Sequence, residues 1–102
     1  MSMIEPHGWY ESRRAAASAA WPNAVGRLPL GAVVTGIVVA TAPFGVFVDL
    51  DEAPSVMALF DLATWPGGRQ LPPMGFRLQG RVVGHRPGRD HEPGQLRLAP
   101  LD

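Results

Sequence analysis

The chain of 102 residues contains neither cysteine nor lysine. Without cysteine there is no disulfide framework, no thiolate metal site and no cysteine nucleophile, and the redox compartment is left undetermined. Without lysine there is no glycine-loop lysine to hold a nucleotide phosphate, and all nine basic side chains are arginine. An excess of either charge is missing too. Nine carboxylates balance the nine arginines, so bulk charge does not demand a polyanionic partner. No apolar run approaches the roughly 20 residues of a membrane-spanning helix. The longest, residues 32–50, is interrupted by Thr, Gly, Pro and Asp, and the expectation is a soluble protein that does not enter a membrane. The length leaves room for one globular domain and excludes a two-domain enzyme.

What is present is unevenly distributed. Residues 1–43 carry a net charge of +1, residues 44–65 of −4 and residues 66–101 of +4, before Asp102 restores neutrality. A local basic surface is therefore compatible with overall balance. The 12 glycines and 11 prolines break the chain into short elements.

Residues 11–21 (ESRRAAASAAW) are alanine-rich, lack internal Gly and Pro, and stop at Pro22, which predicts a short helix. Pro22 suits the first turn of a second short helix over residues 23–28. Arg13-Arg14 followed by alanines resembles a twin-arginine leader only superficially, because the following run is too short and too weakly apolar. From Gly31 onward the pattern becomes that of strands. Residues 32–41 (AVVTGIVVAT) are rich in β-branched side chains, and residues 45–50 (GVFVDL) alternate, with Val46, Val48 and Leu50 on one face and Phe47 and Asp49 on the other. Gly45 permits a bend that brings Phe44 to the side of Phe47. Further strands are predicted over residues 55–62, 76–83 and 95–99, the fourth with Arg77, Gln79 and Arg81 outward. Residues 84–94 (GHRPGRDHEPG) are predicted to be a mobile loop. Five strands in about 70 residues suggest a mainly β protein, a small Greek-key barrel of the OB type.

The residues that carry a resemblance are Gly31-x-x-Val34-x-Gly36-x-Val38, the run FGVFVDL from Phe44 to Leu50, ALFDLA from Ala58 to Ala63, Gly75, and QLRLA from Gln95 to Ala99. In this order and spacing they resemble the RNA-binding domain of the small-subunit ribosomal protein "S-one", an OB-fold module. The likeness covers about residues 30–100 and is most specific in its first 20. It implies a five-stranded barrel over residues 30–102 behind a partly helical extension over residues 1–29. It also implies a cytoplasmic protein that binds single-stranded RNA without a cofactor, in translation or RNA metabolism, with the ribosome as one setting.

Physical chemistry gives the resemblance content, since a base stacked on an exposed aromatic ring is worth about 1–3 kcal/mol with little sequence preference. Phe44 and Phe47 are the expected platform, and Gly36 and Gly45 are expected to serve barrel closure. The family accompanies its aromatic pair with a histidine, an aspartate and an arginine. Here those positions fall on Asp61, on Arg86 (or His85 if the loop slips by one) and on Gln95. All three depart from the pattern. Asp61 repels phosphate, Arg86 is a phosphate candidate or an ion-pair partner for Asp61, and Arg97 is the better-placed phosphate contact. RNA binding is accordingly expected to be weak, salt-sensitive and led by stacking.

Each feature has a plainer reading. Phe44 and Phe47 are alternatively covered by the N-terminal helices, whose Trp9, Tyr10 and Trp21 need a surface. A domain of this type that has lost RNA binding would instead contact a protein. Trp65 is expected to be a hydrophobic plug under its loop, with extension of the stacking surface as the alternative. His85, Asp90, His91 and Glu92 have metal-ligand chemistry but no recognised spacing or rigid scaffold, and are read as loop polarity. His7 is assigned to a disordered terminus. No nucleophile, base and acid fall together on predicted rigid elements, so catalysis is not expected.

Overall fold

The computed structural model describes residues 8–64, 71–89 and 92–101. Its elements are α1 (Trp9–Arg27), β1 (Val33–Ala42), β2 (Gly45–Leu50), β3 (Met57–Asp61), a 3-10 turn (Leu62–Thr64), β4 (Arg77–Arg86) and β5 (Gln95–Ala99). The strands close into a barrel in the order β1-β2-β3-β5-β4. Only the β3–β5 pair is parallel, and β4 returns antiparallel to β1. This is the expected five-stranded OB-type barrel preceded by a helix.

Alternation along the strands builds the interior. Val34 and Val38 of β1, Val46, Val48 and Leu50 of β2, Ala58 and Phe60 of β3, Val82 of β4 and Leu96 and Leu98 of β5 all join one buried cluster. Closure requires close backbone approach at two glycines. A side chain on Gly36 would strike Val48 and the carbonyl oxygen of Asp49, and one on Gly45 would strike the carbonyl oxygen of Phe60, at a φ of +155° that side chains disfavour. The expected role of both glycines in closing the barrel agrees with these contacts. A register shift between Val38 and Ala40 reverses the phase of β1. The residues beyond it, Ala40 and Ala42, therefore face outward and form a second small cluster with Phe47 and Leu59.

Two expectations about the elements are corrected. In place of two short helices parted at Pro22, α1 runs unbroken through it. Pro22 removes one intrahelical hydrogen bond, but its ring is exposed, while Ala24 and Leu28 enter the barrel core and Ala20 and Trp21 pack on it. That anchoring outweighs the local penalty. Residues 84–86, expected in a loop, belong to β4, pairing as Gly84 with Arg97, His85 with Leu96 and Arg86 with Gln95. Ladder bonds use only the backbone, so polar side chains that stay partly exposed are no obstacle. Beyond them, Arg89 and Glu92 form an isolated bridge. Trp65, Asp90, His91 and His7 lie outside the described residues, and with them the expectations attached to each. Among the described residues no helix is long and apolar enough to cross a membrane.

Candidate nucleic-acid interface

In OB barrels the outer face of the second and third strands, flanked by the β1–β2 and β4–β5 connections, is the surface open to an oligomer. Here that face carries most of the residues singled out from the sequence. Phe44 lies in the β1–β2 turn and Phe47 on β2, with ring centroids 6.1 Å apart and planes at 88°, an edge-to-face pair. Phe47 stands opposite Leu59 on β3, Leu59 stands beside Arg97 on β5, and Asp61 is paired with Gly45. Gln95 lies two residues before Arg97 on the same side of β5, and its register partner is Arg86. The six positions Phe44, Phe47, Asp61, Arg97, Gln95 and Arg86 thus run in a band across β2, β3, β5 and β4.

Their states differ from the expectation in two respects. Phe44 is open, at 51% exposure, but Phe47 is 2% exposed and is not a free platform. Trp9 of α1 covers it at 5.4 Å between ring centroids. The covering residue is Trp9; Trp21 packs instead on the core and edge-on to His85, with its ring against Gly94. The second correction concerns charge. Asp61 pairs with Arg97, at 3.0 Å, and not with Arg86. The parallel β3–β5 register sets the two side chains on adjacent strands with both partly shielded, whereas Arg86 lies at the far end of β4. Asp61 also accepts a hydrogen bond from the amide of Ala63 through its other oxygen, which fixes the carboxylate.

The N-terminal half of α1 crosses this band. Arg13 pairs with Asp49, the outward residue two beyond Phe47, and its guanidinium sits 5.4 Å from the Trp9 ring centroid. Tyr10 donates its hydroxyl hydrogen to Glu92 at 2.5 Å, and Arg14 lies 3.8 Å from the same carboxylate and 5.7 Å from the Tyr10 ring. Burial, followed by the hydrogen bond and the charge of Glu92, pushes the Tyr10 phenol up to about 12. Trp9 and Tyr10 are expected from the sequence to need a surface; Arg13 and Arg14 join them there only in the structure. The spacing was a usable signal: Trp9 with Arg13 and Tyr10 with Arg14 are both four residues apart, which stacks each arginine on the aromatic before it once the helix forms.

At the β4–β5 end of the band is a cleft of about 230 Å³ lined by Arg86, Pro87, Gly88, Arg89, Glu92, Pro93 and Gln95. Among the described residues Arg86 and Arg89 have no ion-pair partner, and the buried Gln95 Oε1 has no hydrogen-bond partner. His85, read from the sequence as loop polarity, instead sits on β4 with Nε2 2.7 Å from the carbonyl oxygen of Leu28, tying the end of α1 to the barrel. Among the described residues no three His, Asp or Glu side chains gather as a metal site would require.

No protein-family model matches the chain, and no curated protein matches it. Among solved structures it is similar to the apo form of Mycoplasma genitalium RNase R, with a TM-score of 0.60 and 18% identity over 84% of this chain. The chain corresponds to 15% of the length of that protein. At this identity the likeness is one of fold.

Proposed function

We propose that this chain is a small RNA-binding OB module of the cytoplasm, engaging single-stranded RNA by stacking and acting in RNA metabolism or translation. The observation that carries the reading is Phe44, a half-exposed ring at the entrance to the outer face of β2 and β3, aligned with the arginine-lined cleft across the band. A base stacks on Phe44, and Arg86 and Arg89 supply the phosphate contacts. Arg97, neutralised by Asp61, contributes less than the sequence suggested. The fold shared with a protein named as an RNase supports RNA over other polymers.

Titration of short single-stranded RNA against the parent chain and Phe44→Ala tests this. Loss of one stacking platform is expected to weaken binding by about 1–3 kcal/mol, at least five-fold. An affinity unchanged in Phe44→Ala would overturn the role of the ring, and no saturable binding at low salt, by the parent chain or by a Trp9→Ala variant that uncovers Phe47, would overturn the reading.

A second reading, a domain that contacts a protein in place of RNA, is favoured by one observation. The band already accepts a helix bearing two aromatics and two arginines against Phe47, Asp49 and Glu92. It predicts that RNA fails to bind whether or not α1 is in place.

A further inference from the structure

We propose that the first turn and a half of α1, Trp9 to Arg14, is a displaceable strap over the RNA-binding band, so that RNA and Trp9 compete for Phe47. This rests on the RNA-binding reading and concerns the regulation of the same surface.

The two ends of α1 are held very differently. Its C-terminal half is built into the barrel: Ala24 and Leu28 are core residues, Trp21 packs on that core, and His85 meets the carbonyl of Leu28. Its N-terminal half touches the barrel through Trp9, Tyr10, Arg13 and Arg14 only at their side chains. Between the two, Ala15, Ala16, Ser18 and Ala19 are exposed and only Ala17 is buried, so little holds the middle of the helix down. The helix start has no side-chain cap at Gly8.

Docking of the strap is also imperfect. It leaves Trp9 Nε1, Arg13 Nε and Arg14 Nε buried with no hydrogen-bond partner. Each such group opposes docking, because water would satisfy it once the segment lifted. What favours docking is the match of chemistry: two cations meet the carboxylates of Asp49 and Glu92, and an indole packs on the Phe47 ring. A base would take the place of the indole. Lifting also frees Arg13 beside the band, where it is available to phosphate, while Arg14 keeps its bond to Glu11 of the same helix at 2.9 Å.

Competition makes quantitative demands. A ligand that binds only the open state has its affinity reduced by the open fraction. Trp9→Ala removes the stack without altering any charge on the band, and is expected to tighten binding of a short single-stranded RNA by about tenfold. Tyr10→Phe, which deletes only the bond to Glu92, acts in the same direction by a smaller factor and guards against a folding defect in the first variant. Hydrogen exchange provides the direct readout: added RNA speeds exchange of the amides of residues 12–14 and leaves those of residues 23–27 unchanged. If RNA binds the parent and Trp9→Ala equally, or binds with the strap amides more protected, the strap is overturned while RNA binding stands. Weaker binding by Trp9→Ala would make Trp9 part of the platform and likewise overturn it. If neither the parent nor either variant binds RNA, the RNA-binding reading fails, and the gate with it.

Discussion

Tyr10 is the chain's single tyrosine, and its environment makes it an optical reporter of how α1 is docked. Burial is the largest cause of its raised pKa, with the hydrogen bond and charge of Glu92 next, against a small opposing effect of Arg14. The folded state therefore holds the phenolic proton more tightly than the unfolded chain, where the value is the ordinary 10.0. Stability from this source is complete below pH 10 and is lost as pH rises from there to about 12, because over that window the unfolded chain has already released the proton. Phenolate absorbance in a pH titration should show a midpoint near 12. In Glu92→Gln the midpoint should fall toward 10 without reaching it, since the burial is unchanged. The same residue scale explains why the candidate site was only partly legible. Alternation alone would set Phe44 and Phe47 on opposite faces; the bend expected at Gly45 brings them together, in agreement with their edge-to-face contact. That Phe47 would be covered depended on Trp9, 38 positions earlier, and no local pattern encodes such a pairing.

Among the elements, α1 departs most from local propensity. Pro22 in a helix interior lacks an amide hydrogen for the carbonyl of Ser18 and crowds the preceding turn, so sequence logic ends a helix there. The helix continues because the residues on either side of the proline are gripped by the barrel. Pro22→Ala, at an exposed position, is expected to stabilise the protein by about 2 kcal/mol, the helix gain reduced by the extra freedom of the unfolded chain. Thermal unfolding checks this, with a rise of roughly 8–16 °C expected for a domain of this size. The strands were better foretold: β2 and β5 match their predicted spans of residues 45–50 and 95–99, and β1 lies within one residue of its own. Their β-branched alternation reports a half-buried surface directly. The extension of β4 to Arg86 was hidden, because a polar strand edge differs from a loop only in having a backbone partner, which here is β5.

At the scale of the whole molecule, neutrality is explained by pairing. Arginines 13, 77 and 97 each meet a carboxylate from a distant part of the chain, and Arg14 meets Glu11 one turn earlier in α1. The pairs of Arg14 and Arg77 are exposed and contribute little to stability, those of Arg13 and Arg97 are partly buried, and each removes a cation from the pool available to phosphate. With Arg86 and Arg89 as the phosphate contacts, binding of single-stranded RNA should fall with salt at a slope in log–log form of about −1.4, shallow for a nucleic-acid-binding protein. Titrations at several salt concentrations measure that slope, and release of Arg13 from Asp49 in a strap-open variant should steepen it. The sequence by itself determined the barrel, since the spacing of β-branched runs and of the closing glycines is a local property that survives without knowledge of any partner strand. It also determined that any binding must lean on aromatics more than on charge. Only the tertiary structure decided which aromatics are available and which arginines are free. Exposure and ion pairing are set by segments far apart in the chain, brought together when α1 folds back across β2.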